Sequence, residues 1–244
     1  MRNRFIFFSL HFLISIIFSL LVLLVVFFIW YPSPLAKSVG VTHIFLIMLA
    51  VDVVIGPLLG VFIYKENIKK FKFDLITIII FQVSALFYGI YIIAQGRPAW
   101  LAYNVDRFEL VRNNEILTEQ IAQASPQHQQ PSWLKPQFVG VEFAKDKNIR
   151  SDDMLAEVLG GISIAQKPER YVPLDKVKHQ IQQHAQNLDV LNQFNDKALV
   201  EKTLSNYPQA TAFVPLKANA VDMTVLINKE KGEVVKIVDL RPWK

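Results

Sequence analysis

The sequence predicts a membrane-anchored protein in two parts: three transmembrane α-helices within residues 1–96 and an α+β extracytoplasmic domain over residues 97–244. Three observations carry this. The long apolar runs all lie before residue 97, two basic clusters fall where one face of a bilayer would meet the chain, and the remainder mixes short strand-like and helix-like patterns.

The first span is expected at about residues 5–31. No charge interrupts it, and at 1.5 Å per residue it exceeds the roughly 20 residues that cross a hydrocarbon core. Arg2 and Arg4 before it resemble the start of a signal peptide. Signal peptides have shorter apolar cores and a small-residue cleavage site, whereas this run ends in Trp30-Tyr31-Pro32, so an uncleaved helix is expected. The second span is placed at about 39–64, with Asp52 as its one charge, and the third at about 75–94, between Asp74 and Arg97-Pro98. Four lysines (Lys65, Lys69, Lys70, Lys72) separate the second and third. Basic loops stay in the cytoplasm. Arg2, Arg4 and these lysines then face the cytoplasm, and residues 97–244 lie outside it, in the periplasm of a bacterium with the chain in its inner membrane.

Composition narrows the function. The chain is 52% apolar and 19% charged, with net charge +5. Seven of its basic residues and only three acids precede residue 97, so the later part is almost neutral. The excess positive charge therefore reads as a topology signal and not as a nucleic-acid site. With no cysteine, a disulfide framework, a thiolate metal site and a cysteine nucleophile are excluded.

Asp52 is the most informative residue of the spans, because an acid at mid-bilayer costs about 2.5–3.5 kcal/mol on insertion scales. It is expected to face helices: either a partner helix, a proton-linked site, or the protein's own Tyr88 or Ser19, which lie at similar depth. Gly56 and Gly60 continue its face as a small-residue pair that lets a helix approach, and Pro57 should kink the span. Ala85 and Gly89 form a similar pair on the third span. Asp52, Gly56, Pro57, Gly60, Gln82 and Tyr88 are thus the candidate helix-docking residues; His11 and His43 stand singly at different depths and are not read as ligands.

In the later part, Ala99–Asn104, Phe108–Arg112, Gln137–Phe143, Thr211–Pro215, Ala220–Asn228 and Glu233–Leu240 read as strands, the last two joined by a Lys-Gly turn. Glu115–Ala124 reads as a helix, and Ser125–Pro136 as a loop. Ser151-Asp152-Asp153 is expected to cap a helix that Gly160-Gly161 stops. Pro173 opens another, with Val177, Ile181, Ala185 and Leu188 at helical spacing. No G-x-S-x-G, H-E-x-x-H, P-loop or G-x-G-x-x-G occurs, and His128, His179 and His184 are scattered. A binding or scaffolding module without catalytic residues, metal or cofactor is expected.

Val51-Asp52-Val53-Val54-Ile55-Gly56-Pro57-Leu58-Leu59, then Asp74-Leu75, Gln82, Ala85-Leu86 and Tyr88-Gly89, resemble the TfpX/TfpZ type IV pilin accessory proteins. The similarity continues through Arg97-Pro98, Asp106-Arg107-Phe108, Gly160-Gly161, Asp222-Met223-Thr224-Val225-Leu226 and Pro242-Trp243, so it spans nearly the whole chain. The resemblance implies a non-catalytic inner-membrane protein that assists assembly of a cognate type IV pilin, its expected partner besides the lipid bilayer. The alternative is a membrane-anchored periplasmic sensor or ligand-binding protein, against which the lack of a cytoplasmic output domain counts.

Overall fold

The computed structural model describes residues 2–55, 58–59 and 68–244. Helix α1 (Arg2–Leu24) continues into a π-helical turn, Val25–Trp30. A short helix α2 (Leu35–Val39) ends at Gly40, whose φ of 79° favours glycine; a Cβ there would also sit 3.2 Å from the Ala220 Cβ. Helix α3 (Val41–Ala50) runs into a second π-helical turn, Val51–Ile55, and α4 covers Ile68–Gln95.

Two helical segments, Phe8–Trp30 and Ile76–Gln95, are long and apolar enough to cross a membrane. They agree with the first and third expected spans, and their residues are almost all exposed, 11% and 6% being buried. The second expected span is represented by the shorter apolar helix Val41–Ile55. Gly56, Pro57 and residues 60–64 of that expected span lie outside the described residues, as do 65–67 after it.

Residues 98–238 supply a seven-stranded mixed sheet in the order β4-β3-β1-β2-β5-β6-β7. Its strands are β1 (Pro98–Asn104), β2 (Arg107–Arg112), β3 (Gln137–Val141), β4 (Tyr171–Val172), β5 (Ala212–Lys217), β6 (Met223–Asn228) and β7 (Glu233–Val238). The β1–β3 and β2–β5 pairs are parallel and the others antiparallel. Every residue of β1 is buried, because both faces of the sheet are covered. One face packs Leu101, Tyr103, Val214 and Val225 against Val177, Ile181 and Ala185; the other carries Trp100, Val139, Ile164 and Tyr171. Helices α5 (Lys147–Gly160), α6 (Lys178–His184) and α7 (Lys197–Leu204) complete the domain.

Two local expectations are corrected. Glu115–Ala124 is not an α-helix but irregular chain with 3-10 turns at Asn113–Glu115 and Ile121–Gln123. Ile116 is extended (φ −68°, ψ 124°) and the Leu117 N–H bonds the Gln166 carbonyl at 2.9 Å, so a tertiary contact holds this stretch on a non-helical path. Helix α5 begins earlier than Ser151: Asp146 caps it, accepting from the Asn148 and Ile149 N–H groups. Gly161, at φ 64°, ends it as expected. Asp153 points inward from mid-helix to Lys167 Nζ (2.6 Å) and Arg170 Nε (2.9 Å), while Val158 and Leu159 face out, 80% and 81% exposed.

The β1–β2 hairpin turns at Val105, which has φ 57°, and the Asp106 N–H bonds the Asn104 carbonyl at 2.7 Å across it. This three-residue turn is strained, and most of all for a β-branched side chain. Val105→Gly is expected to raise unfolding stability by about 1 kcal/mol, read from the denaturation midpoint.

Candidate functional site

Two constructions stand out, and both are built on the apolar helices. The first is a polar stripe inside the α1–α4 contact. His11, Ser15 and Ser19 follow at i, i+4 and i+8, which places them on one face of α1. They line a cleft of about 220 Å³ with Gln82 of α4, otherwise walled by apolar side chains such as Phe18 and Leu86. The His11 and Gln82 side chains share a hydrogen bond. Ser19 is buried within the stripe. An apolar helix contact gains little from hydrophobic burial where its surroundings are equally apolar, so such polar bridges give the pairing its register.

Of the residues singled out in the sequence, Gln82 therefore enters the cleft and meets His11. Tyr88 does not: it stands 67% exposed and is not among the residues lining the cleft. Asp52 falls in the π-helical turn Val51–Ile55, which packs against α1; such turns recur at functional sites in other helices. Gly56, Pro57 and Gly60 lie outside the described residues. Gly89 meets α3, for a Cβ there would come within 2.6 Å of the Met48 Sδ. Gly89 thus makes the close approach expected of the Ala85/Gly89 pair, whereas Ala85 is exposed. Sequence reading passed over His11 and Ser15 as partners of Gln82. The signal was present: His11 is about 10 Å from Arg4 and Gln82 about 12 Å from Asp74 along their helices, a depth match, and the i, i+4, i+8 spacing gives the face.

The second construction joins the helix ends to the sheet domain. The Tyr31 hydroxyl donates to the Ile93 carbonyl at 2.6 Å, tying the end of the first apolar helix to the last turn of α4. Leu35, 1% exposed, sits in the domain core with Leu101, Tyr103 and Leu216. The Ser38 carbonyl accepts from the Ala220 and Val221 N–H groups at 2.9 and 3.1 Å, and Lys37 Nζ meets Asp239 Oδ2 at 2.6 Å. This ion pair is exposed, so solvent holds its value below about 1 kcal/mol; the buried leucine and the backbone bonds do the anchoring. The Trp30 indole N–H donates to the Trp133 carbonyl at 3.0 Å, and the Arg97 guanidinium lies 4.6 Å over the Trp133 ring.

Among the described residues no group of three or more His, Asp or Glu side chains is placed to hold a metal ion. The two constructions are a polar stripe in an apolar groove and a domain fastened to the ends of the helices.

Comparison with known proteins bears on the role of these constructions. The FimB fimbrial assembly protein family matches residues 1–40, which include α1, the polar stripe and α2. The fimbrial assembly protein of serogroup E1 from Dichelobacter nodosus is 30% identical over 243 residues, covering 93% of this chain and 93% of that protein. The chain belongs to the fimbrial assembly protein family. The serogroup I protein of the same organism is likewise 30% identical over 243 residues, and the protein of serogroups C1 and C2 is 34% identical over 130 residues, covering 50% of this chain and 98% of its own length. No solved structure matches. The agreement with the fimbrial assembly relatives runs through both the helices and the sheet domain, so the junction between them belongs to the family's shared length.

Proposed function

We propose that this chain is a non-catalytic inner-membrane protein of type IV fimbrial assembly, allied to the TfpX/TfpZ accessory proteins, that receives the pilin while it waits in the membrane. The observation that carries this reading is the 30% identity to fimbrial assembly proteins over 93% of both chains.

The junction supports a three-span arrangement. Leu35 and the strands after residue 97 share one hydrophobic core, so both lie on one side of any bilayer. The chain between them leaves that side and comes back, crossing an even number of times. Helix α4 makes one crossing, the stretch beginning with α3 makes the other, and α1 is the third. Arg2, Arg4 and the lysines between residues 65 and 72 then share the opposite, cytoplasmic side. The sheet domain is periplasmic in this reading.

The docking surface for a pilin helix is the helix bundle: the His11–Gln82 stripe, the turn bearing Asp52, the small residues Gly56 and Gly60 around Pro57, and the outward Tyr88. Photo-crosslinking residues placed at Ile14, Val83 and Tyr88 in fimbriate cells test it. Adducts with the major pilin are expected. Adducts confined to this chain's own helices would defeat pilin docking, and normal fimbriae in a deletion strain would defeat the assembly role itself.

A further inference from the structure

The junction leaves two large apolar side chains mostly uncovered by the fold. Trp133 is 68% exposed and Leu134 65%. They form the tip of the loop between His128 and β3, bracketed by Pro131 and Pro136, and the Ser132 hydroxyl fixes the tip by accepting from the Leu134 N–H at 3.1 Å. The tip is level with the ends of the apolar helices. Its Trp133 carbonyl takes the indole proton of Trp30, the last residue of the first apolar helix, and its ring lies under Arg97, two residues beyond the end of α4. An exposed lysine, Lys135, follows directly.

We propose that Trp133 and Leu134 are a membrane contact of their own: a loop of the sheet domain that enters the lipid headgroup layer beside α1 and α4 without spanning. The occupant is lipid because of position. Exposed apolar residues of the first apolar helix continue to within two residues of Trp30, Leu24 being 52% and Phe28 66% exposed, and the tip lies beside that end of the helix. Tryptophan, with an apolar body and a polar N–H, favours this layer, and a neighbouring lysine reaches phosphates while its stem stays among the chains. The domain thereby gains a lipid contact beside its chain connections. This inference rests on the membrane reading above.

The absence of cysteine makes the test direct. Single variants Leu134→Cys, Leu20→Cys and Asp106→Cys of the full chain are spin-labelled in phosphatidylethanolamine–phosphatidylglycerol vesicles. Collision rates with oxygen, which concentrates in lipid, and with a water-soluble nickel chelate are then compared. Leu20 is 54% exposed on α1, and Asp106 lies at the hairpin tip, a strand's length from the helix ends, since β1 starts at Pro98. The label at 134 is expected to fall between the other two, with oxygen collisions exceeding those of the chelate. A label at 134 as open to the chelate as that at 106, while 20 remains in lipid, overturns the loop contact and leaves the spans standing. Chelate access at 20 as well removes the membrane reading with it. Access at 134 in vesicles but shielding in native membranes assigns the tip to a protein partner and overturns the proposal. Brominated lipids read the same contact without a label: a Trp133→Phe chain should lose part of the quenching seen in the unsubstituted chain, and unchanged quenching opposes the proposal.

Discussion

Leu35→Asp, a change in the short segment between two apolar helices, is expected to unfold the sheet domain whose strands begin more than sixty residues later. Leu35 is 1% exposed among Leu101, Tyr103, Phe108 and Leu216. Truncating a buried leucine alone costs about 2–5 kcal/mol, and an aspartate adds the cost of an unpaired polar group or charge in an apolar site. That total rivals the roughly 5–15 kcal/mol that holds a whole domain folded. The measurement is limited proteolysis of the purified chain with a thermal midpoint. The region after Gly96 should be degraded rapidly in Leu35→Asp and protected in the native chain. Leu20→Asn, on an exposed position of α1, should leave that protection unchanged. Equal resistance in Leu35→Asp would mean that α2 is not part of the core.

Asp153→Ala is the second large effect. The carboxylate is 3% exposed and holds Lys167 and Arg170, themselves only 18% and 12% exposed. Removing it strands two mostly covered cations, and breaking such a pair costs about 3–5 kcal/mol. It also frees the inner face of α5, whose outer face already shows Val158 and Leu159. The charge leaves a mark in pH. Burial by itself would raise the Asp153 carboxyl, but the hydrogen bonds and charges of Lys167 and Arg170 outweigh it and hold the group below its ordinary range. A carboxyl lowered on folding stabilises the protein above its unfolded pKa of about 4 and loses that contribution as pH falls through the folded value. Asp153→Asn should therefore be less stable at neutral pH, with the difference from the native chain shrinking in acid. A constant difference from neutral pH to below 4 would refute the role of the ionised pair.

Much of the sheet was legible because its strands carry local signals. Alternation or continuous apolar runs marked β1, β2, β3, β5, β6 and β7, and the Val177, Ile181, Ala185 spacing marked the buried face that leads into α6. What stayed hidden depends on distant partners. Helix α2 is five residues long and reads as a connecting loop; nothing near Leu35 announces that its neighbours are Leu101 and Leu216. The segment after Glu115 has helical spacing but spends a backbone N–H on Gln166. Helix α7 was missed although Asp196 caps it through the Leu199 N–H, an acidic N-cap signal that the sequence does contain. Asp153 shows the converse. Read as a helix start beside Asp152, it is a mid-helix anchor, because the lysine and arginine that fix it lie on a separate turn. In the helices, Gln82 was visible as a polar residue in an apolar run, whereas its bond to His11 needed the facing helix.

The docking of α2 also sets an order of events on the ribosome. Lys37 finds Asp239 at a separation of 202 residues, and the Ser38 carbonyl meets Ala220 and Val221, so the fold is closed by segments far apart in the chain. At bacterial synthesis rates the early piece waits on the order of 10–40 s for its seat to be made. Throughout that interval Leu35 and the half-built sheet are sticky, and a transcript cut before its final strand leaves them so permanently. Production of this protein is thus exposed to aggregation and proteolysis until the strands that seat α2 have been made.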